Sequence, residues 1–330
     1  MEVPPIDERG FAVRTRPIAL LSAATLLSAA LLVGCTPSTD ESEPSPTTSA
    51  AGDLCGAKVA SGDATDAVTI EGEVGTESTA TFTAPLEITE PQSAIVEEGS
   101  GDPAEAGDYL QFALSAYDAT SGEKLGAQGY NDDALPQQIS VESGLGQLLG
   151  CPKPDSRYTV AVPAAPDGSS PALVYIFDVF GTMPTAAWGE QQEPVDGMPP
   201  VELDDDDSPT VTLPDGDIPT EFKKATLKEG DGPVVETGDS VMVQYHGVSW
   251  NSGEVFDESW GKQPFTFTVG SGVVQGFTDA VTGETVGSQV IAILPPAVAY
   301  GEGEINDADL KGQTLVFVVD ILAAAKPAVQ

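Results

Sequence analysis

The sequence predicts an α+β fold that occurs twice in tandem, and three observations support this prediction. Residues 98–108 recur 131 positions later as residues 229–239, with glycine and aspartate at matching places. Matched segments of the two copies alternate apolar and polar residues, as antiparallel strands with one buried face do. In the second copy, one short segment has the apolar spacing of a helix. With 330 residues, the chain is long enough for two ordinary domains.

The chain begins with the features of an export signal. Two arginines precede an apolar run at residues 18–33, which is too short for a permanent transmembrane helix. Residues 32–35, Leu-Val-Gly-Cys, resemble the cleavage site of bacterial lipoproteins. This implies that a signal peptide of residues 1–34 is removed and that Cys35 is lipidated. The alternative is a chance cysteine after an ordinary signal peptide. The acidic residues before Val13 are unlike the start of a signal, so we hypothesise that translation starts at Val13.

Composition divides the rest of the chain. Residues 35–52 have almost no large apolar side chain, which predicts a disordered tether. Residues 53–180 are the first copy and residues 214–326 the second. Residues 181–213, between them, are acidic and rich in proline, so we expect a linker. The four aspartates at 204–207 lack the spacing and the closing glutamate of a calcium loop. A solvated linker or edge turn is therefore favoured over a calcium site.

The balance of charge excludes several classes of function. The chain has 13 Lys and Arg residues against 52 Asp and Glu residues, a net charge of −39. Because it offers no basic surface to phosphate groups, we expect no nucleic-acid partner, and contact with a membrane only through the lipid anchor. With one histidine and three cysteines, neither a His/Cys zinc site nor a Ser-His-Asp triad is favoured. We predict no metal and no organic cofactor.

Two cysteines remain for the folded part of the chain once Cys35 carries lipid. Cysteines outside the cytoplasm usually pair, so we predict a disulfide between Cys55 and Cys151. The alternative is two buried free thiols. A disulfide would tie the start of the first copy to its own middle.

The second copy contains three clear strand patterns and one helix pattern. Residues 241–245, 264–269 and 315–322 alternate apolar and polar side chains. Residues 274–281 place Phe277 and two smaller apolar residues on one face, which predicts a short helix across one side of the sheet.

Aromatic side chains are expected to concentrate between this sheet and this helix. From spacing alone, they form either a concave binding surface or a plain aromatic core. His246 follows Tyr245 in the same strand, so we expect it on the opposite face, at the surface. The aromatic residues concerned are Tyr245, Phe256, Phe265, Phe267, Phe277, Tyr300 and Phe317.

Six short motifs follow one another between about residues 220 and 325. They are Val243–Gly247, Gly253–Ser259, Gln263–Phe267, Val273–Phe277, Ala299–Gly301 and Thr314–Phe317. In this order they closely resemble the FKBP-type peptidyl-prolyl cis-trans isomerases. The resemblance implies a curled antiparallel β-sheet wrapped on a short helix, in both copies. It also implies a shallow apolar pocket that takes a prolyl residue and can bind macrolides such as tacrolimus and rapamycin.

The resemblance implies which residues form the pocket. The backbone N–H of Val274 and the hydroxyl of Tyr300 are expected to hold substrate carbonyls. Asp257 is expected to act electrostatically on the displaced carbonyl or to hold Tyr245 by a hydrogen bond; a plain turn residue is the third interpretation. The implied catalytic residues are Tyr245, Phe256, Asp257, Phe277, Tyr300 and Phe317. The implied substrate-binding residues are Phe265, Phe267, Val273, Val274 and Leu310.

Two positions of the second copy depart from the family pattern. The family commonly has tryptophan on the pocket floor, where this chain has Phe277, which implies a roomier floor. After Tyr300 the family carries a segment like Ile-Pro-Pro, whereas residues 309–312 read Asp-Leu-Lys-Gly. Leu310 is therefore the expected equivalent of the isoleucine.

The first copy departs from the motifs at the positions that matter for activity. Residues 164–168 are too few to supply a loop like that of Tyr300. We therefore predict a degenerate, inactive FKBP-like domain that serves as a spacer or a client-holding surface. Leu114, Leu125, Gly126 and Leu145 stand where the second copy has Tyr245, Phe256, Asp257 and Phe277.

Together these features predict an exported prolyl isomerase and folding helper. We expect it to be anchored by lipid at Cys35 to the outer face of the cytoplasmic membrane, to be a monomer, and to act on exported proteins that contain proline. One alternative is a binding module that recognises proline segments or a partner without relevant turnover. Another is an anchored structural protein whose aromatic residues form only a core.

Overall fold

The fold contains two large antiparallel sheets, whose strands follow the same order, and two separate two-stranded hairpins. The computed structural model describes residues 52–305 and 309–327, which belong to one compact unit. The predicted signal peptide, Cys35 and almost all of the predicted tether lie outside the described residues. No helix in the described ranges is long and apolar enough to cross a membrane.

The first copy combines short helices with strands of two to eleven residues. Its helices are α1 (Leu54–Ala57), α2 (Asp63–Asp66) and α3 (Gly144–Leu149). Its strands are β1 (Thr69–Glu71), β2 (Thr79–Thr81), β3 (Gln92–Glu97), β4 (Tyr109–Asp118), β5 (Lys124–Gln128), β6 (Gln137–Gln138), β7 (Ser156–Val162) and β8 (Leu173–Met183).

The second copy repeats this series of elements. Its strands are β9 (Glu190–Gln191), β10 (Val201–Leu203), β11 (Pro209–Val211), β12 (Lys223–Glu229), β13 (Ser240–Ser249), β14 (Val255–Glu258), β15 (Phe265–Thr268), β16 (Gln289–Leu294) and β17 (Leu315–Ala325). Helix α4 (Gln275–Val281) follows β15, and a 3-10 helix, Pro296–Val298, follows β16.

The two main sheets have one topology. The first sheet has the order β3-β7-β8-β4-β5, with β6 also paired to β4. The second has the order β12-β16-β17-β13-β14, with β15 paired to β13 and β9 added outside β12. Strands β3 to β8 therefore correspond one by one to β12 to β17, and α3 corresponds to α4. The predicted α+β fold, built twice, is confirmed.

The main core of the second copy lies between its sheet and α4. Alternating residues of β13, Val241 and Val243, point into this core, and Phe277, Ala280 and Val281 of α4 meet them there. At 25 cal/mol per Å², burial of one such large apolar side chain contributes about 1.5–3 kcal/mol. The predicted helix of residues 274–281 is thus present, one residue shorter at its start.

The segment 181–213 is more than an extended linker. Its hairpin, β10 with β11, packs Val201 and Val211 on the outer face of the second sheet, against Ile291 and Val318. The four aspartates at 204–207 are exposed in the turn of this hairpin, as the turn interpretation predicted. This packing could not be predicted from composition, because two strands of three residues contribute few apolar positions among many prolines and acidic residues.

The outer face of the first sheet is covered in the same way. The hairpin of β1 and β2 packs Ile70 and Ala80 against Val174 and Ile176. Strand β1 begins at Thr69, 132 residues before β10. The repeated unit therefore includes a covering hairpin in addition to the sheet and helix. The predicted domain boundaries remain a prediction. Within segment 181–213, the hairpin of β10 and β11 covers the second sheet.

The structure tests two other predictions, which concern the disulfide and the position of His246. Cys55 and Cys151 form a disulfide that links α1 to the second residue after the end of α3, as predicted. His246 is on the face opposite to Tyr245, but it is only 8% exposed rather than at the surface. Its Nδ1 lies 2.9 Å from Oε2 of Glu258 on β14. Met242 and Gln244, on the same face of β13 as His246, are buried as well, so both faces of this strand are covered. Alternation within one strand does not reveal this.

Candidate active site

A cavity of about 500 Å³ opens on the concave side of the second sheet, beside α4. Five structural elements and the loops next to them supply its walls. Most of its lining is aromatic or aliphatic, and the polar side chains are one carboxylate and two tyrosine hydroxyls. The lining residues are Tyr245, Phe256, Asp257, Phe265, Gly272, Val273, Val274, Phe277, Tyr300 and Phe317.

Tyr245 is at the centre of the aromatic walls. Its ring centroid lies 5.7 Å from that of Phe265, 6.0 Å from that of Phe277 and 6.3 Å from that of Phe317. Phe317 in turn meets Phe256 at 5.4 Å and Phe277 at 5.1 Å, both edge to face. Such edge-to-face pairs favour one fixed arrangement, because the positive ring edge faces a negative ring face. The rings therefore hold the cavity open in a defined shape.

One hydrogen bond defines the polar side of the cavity. The hydroxyl of Tyr245 donates to Oδ2 of Asp257 at 2.6 Å, and the backbone N–H of Glu258 donates to Oδ1 at 2.9 Å. Burial, and then the hydrogen bond to this carboxylate, raise the pKa of Tyr245 well above its ordinary value. The tyrosine is therefore a neutral donor at physiological pH, and its proton is directed at Asp257.

Tyr300 closes the other side of the mouth. It follows the 3-10 helix, and Gly301, at φ +87°, donates its N–H to Pro296 and turns the chain there. Tyr300 is 47% exposed. Burial, and then the negative charge of Asp257, raise the pKa of its hydroxyl. Its neutral O–H is available as a donor at the entrance.

The start of α4 brings backbone to the cavity. Val274 is the N-cap of the helix, and its N–H donates no hydrogen bond to the described part of the chain. The next residue but one is Gly276, where a Cβ would lie 2.5 Å from Cγ of Leu294. Only glycine lets the helix approach β16 this closely, which sets the depth of the cavity floor.

The structure places nine of the predicted site residues on the cavity and two elsewhere. Phe267 is 7% exposed and lies beneath the wall, stacked on Phe265 at 5.6 Å, so it supports the site and does not line it. Leu310 packs against the core beside the site but lines a neighbouring cavity. Gly272, at φ +81°, lines the cavity and was not predicted, since a residue without a side chain carries no chemical signal in the sequence.

The first copy lacks this site. Leu114 pairs with Phe177 as Tyr245 pairs with Val319, so the two positions correspond in register. Leu125, at the place of Phe256, is 55% exposed. The position of Asp257 is occupied by a glycine, so the first copy has no carboxylate there. At this place in the repeat, the described residues therefore pair a tyrosine with a carboxylate only in the second copy.

Comparison with known proteins concerns the second copy. The family model described as FKBP-type peptidyl-prolyl cis-trans isomerase matches residues 232–322. Over 120 residues, the chain is 38% identical to an FK506-binding protein of Streptomyces anulatus, a match that spans 36% of this chain and 97% of that protein. The chain belongs to the FKBP-type peptidyl-prolyl cis-trans isomerase family.

A second relative agrees with this assignment. A probable FK506-binding protein of Corynebacterium glutamicum is 32% identical over 118 residues, which cover 36% of this chain and 99% of that protein. Among solved structures, FkpA of Escherichia coli is similar at 29% identity with a TM-score of 0.30, over 33% of this chain and half (50%) of that one. This FKBP-type protein is an enzyme, a peptidyl-prolyl isomerase, and the activity belongs to its second copy.

The cavity suits the chemistry of this FKBP-type isomerase. Rotation about an X–Pro bond meets a barrier of about 18–20 kcal/mol, because the amide loses its resonance as it twists. The twisted amide carries less charge separation than the planar one, so walls of Phe256, Phe277 and Phe317 favour it over the planar ground state. This is stronger binding of the transition state, and it needs no nucleophile.

Proposed function

We propose that the second copy isomerises X–Pro bonds in exported proteins, as a folding helper held by lipid at Cys35 on the outer face of the cytoplasmic membrane. The observation that carries the proposal is the aromatic cavity with the Tyr245–Asp257 hydrogen bond at its polar side. The signal-like N-terminus and the Cys55–Cys151 disulfide support export, since disulfides persist in oxidising compartments.

The proposed mechanism uses binding groups only. The prolyl ring enters between Tyr245, Phe277 and Phe317, and water is excluded from the imide. The N–H of Val274 and the hydroxyl of Tyr300 donate to substrate carbonyls on either side of the rotating bond. These donors fix the two ends of the peptide while the bond between them twists in an apolar space.

The cavity is also the proposed site for macrolides. Two relatives are named as FK506-binding proteins, and the same aromatic walls suit a large apolar ligand. The floor formed by Phe277 is smaller in ring area than a tryptophan floor. Because the drugs and proline peptides would occupy the same cavity, we expect tacrolimus and rapamycin to compete with proline peptides for it.

The first copy is proposed to be a non-catalytic FKBP-like domain. It repeats the strand order of the second sheet, but it has leucine at the place of Tyr245 and glycine at the place of Asp257. We propose that it acts as a spacer or as a surface that holds client proteins near the active copy. The chain is proposed to work as a monomer.

The test of the isomerase assignment uses residues 36–330. Cis-trans exchange of a short Leu-Pro peptide is measured by NMR exchange spectroscopy, with and without rapamycin. The variant Tyr245→Leu/Asp257→Val is expected to lose catalysis. The matched control changes the corresponding surface of the first copy, Leu114→Ala/Leu125→Ala, and is expected to keep full activity.

Two outcomes would contradict the proposal. If the Tyr245→Leu/Asp257→Val variant keeps a large part of the exchange rate, the first copy or another site is active. If the unmodified protein binds rapamycin but does not accelerate exchange, it is a binding module for proline segments.

The anchor is tested separately. In cells, Cys35→Ala is expected to move the protein from the membrane fraction to the medium, because the side chain of Cys35 is the proposed site of lipid attachment. Unchanged fractionation would refute the lipid anchor without bearing on the isomerase activity.

A further inference from the structure

A second cavity adjoins the active site and shares one wall with it. It has a volume of about 450 Å³, and Phe256 lines both cavities. Leu310, expected in the prolyl pocket, lines this second cavity instead. Because the two cavities share this wall, a peptide bound in the prolyl pocket has the second cavity beside it.

Four of the ten residues that line the second cavity are apolar, and two of these four are largely exposed. Val255 is 50% exposed and Ile305 is 58% exposed, which is unusual for large aliphatic side chains. Around the prolyl pocket, Phe265 and Tyr300 are 37% and 47% exposed. Exposed apolar side chains thus surround both cavities of the second copy, and such grouping marks a binding surface.

The floor of the second cavity is already fixed by internal hydrogen bonds. The hydroxyl of Ser249 donates to Oε1 of Gln313 at 2.6 Å. The N–H of Thr314 donates to Oδ1 of Asn251 at 2.9 Å. Because these polar groups hold one another in place, the shape of the floor does not depend on a ligand. A side chain that enters meets a preformed cavity and loses less binding energy to reordering.

Two carboxylates line the same cavity, Glu254 and Asp309. The backbone of Glu254 is held by hydrogen bonds to Ser249 and Ser252, and its side chain is exposed. Oδ1 of Asp309 already accepts from the N–H of Lys311 at 3.0 Å, so Glu254 is the carboxylate that suits a cationic end. The apolar residues of the cavity suit an aliphatic stem. Lysine and arginine side chains have this form, since their stems bury on apolar surface while the charge remains near water.

We propose that this second cavity binds a lysine or arginine side chain of the client, close to the isomerised proline. The proposal rests on the isomerase activity of the neighbouring cavity. It makes segments with a basic residue near the proline the preferred substrate class. Glu254 and Val255 become specificity-determining residues of the enzyme, separate from the groups that act on the prolyl bond.

The experiment compares proline peptides that differ in one flanking residue, in residues 36–330 of the protein. One peptide series carries lysine at each position near the proline in turn, and the other carries norleucine, which keeps the stem and removes the charge. Exchange rates give kcat/KM, and calorimetric titration gives Kd. At one or more positions, we expect kcat/KM to be about two- to five-fold higher with lysine, as for an exposed ion pair. Raising the salt concentration to about 1 M should abolish the difference.

Matched variants assign the preference to the cavity. Glu254→Gln is expected to remove the preference, so that the variant turns over the lysine and norleucine peptides with equal kcat/KM. Glu142→Gln removes the same charge from the exposed surface of the first copy and should leave the preference intact. Val255→Ser should weaken binding of both peptides, whereas Val234→Ser, at a site that is 49% exposed, should weaken neither.

Each failure has a separate meaning. Equal turnover and equal Kd for lysine and norleucine at every position would overturn the proposal, as would an equal effect of Glu254→Gln and Glu142→Gln. Absence of turnover for both series, with lysine-selective binding retained, would keep the proposed cavity and contradict the isomerase assignment instead.

Discussion

At the scale of single residues, the Tyr245–Asp257 hydrogen bond decides the character of the site. The sequence left two roles open for Asp257, which are action on the substrate carbonyl and placement of Tyr245. The 2.6 Å bond shows that the second role is geometrically satisfied. The carboxylate is exposed and lines the cavity, so the first role is also within reach.

A double-mutant cycle separates these roles of Asp257. We expect Tyr245→Phe and Asp257→Asn each to lower kcat/KM by about tenfold, because a hydrogen bond to a charged group contributes about 1.5–3 kcal/mol. If Asp257 acts only through Tyr245, the double variant is no worse than either single variant. Effects that multiply in the double variant would show that Asp257 acts on the substrate independently.

Asp320 provides a residue-scale prediction of pH dependence. Its Oδ2 accepts from the N–H of Ala187 at 2.7 Å, and its Oδ1 accepts from Gln289 at 2.8 Å. Burial raises the pKa of its carboxyl above the ordinary value of 3.8. The folded state therefore holds this proton more tightly than the unfolded state. The stability that this gives is fully present below pH 3.8 and is lost as pH rises through the folded-state pKa.

The variant Asp320→Asn cannot ionise and should lack this part of the pH dependence. As pH rises from about 4 to about 7, we expect the unfolding free energy of the unmodified protein to fall relative to that of the variant. Urea unfolding at several pH values measures the difference. A difference that is constant with pH, or that grows in favour of the unmodified protein, would contradict the assignment.

At the scale of elements, buried carboxylates attach the chain that covers each sheet. In the first copy, Asp178 pairs with Arg157, whose guanidinium donates to the carbonyls of Gly72 and Glu73 in the turn between β1 and β2. In the second copy, Asp320 at the same place in the repeat holds Ala187, which precedes β9. The same position thus fastens the cover in both copies, with an ion pair in one and neutral donors in the other.

The Arg157–Asp178 pair leads to a prediction about stability. Side chains of both residues are almost fully buried, at 2% and 0% exposure. Arg157→Met leaves a buried carboxylate without its partner, so we expect a loss of about 3–5 kcal/mol of unfolding free energy. The double variant Arg157→Met/Asp178→Leu should recover much of this loss. Lys153→Met, which breaks an exposed pair with Glu98, is the control and should change stability by less than about 1 kcal/mol.

At the scale of the whole molecule, the two copies meet through a small apolar cluster. It joins the ends of the central strands of both sheets, where Tyr109 pairs with Met183 and Met242 pairs with Ala323. Leu322, fully buried, completes the cluster. The contact is much smaller than either core, so each copy depends mainly on its own sheet and helix for stability.

The disulfide tests how far the copies unfold together. Cys55 and Cys151 are 96 residues apart, and closing a loop of this size stabilises the folded state by about 4–5 kcal/mol through the unfolded chain. We expect Cys55→Ser/Cys151→Ser to lower the unfolding free energy of the first copy by about this amount. The three tryptophans all lie at or after residue 188, in the second copy and its cover. In this variant, the unfolding midpoint measured by tryptophan fluorescence should therefore shift less than the midpoint measured by circular dichroism. Coincident transitions with the same large shift would show that the copies unfold as one.

The sequence determined the repeat, the strand patterns of residues 241–245, 264–269 and 315–322, the helix α4 and nine residues of the prolyl pocket. Each of these depends on local spacing or on motifs short enough to be read along the chain. Phe256, Phe277 and Phe317 could be assigned to one site because their motifs occur in a known order. The disulfide followed from the number of cysteines available.

Only the tertiary structure decided which surfaces are covered and which are open. It placed Leu310 beside the second cavity, Phe267 beneath the pocket wall, His246 on a buried face of β13, and the hairpin of β10 and β11 on the outer face of the second sheet. These outcomes depend on contacts between residues far apart in the chain. A pattern within one strand shows that its faces differ, but it carries no information on what packs against each face.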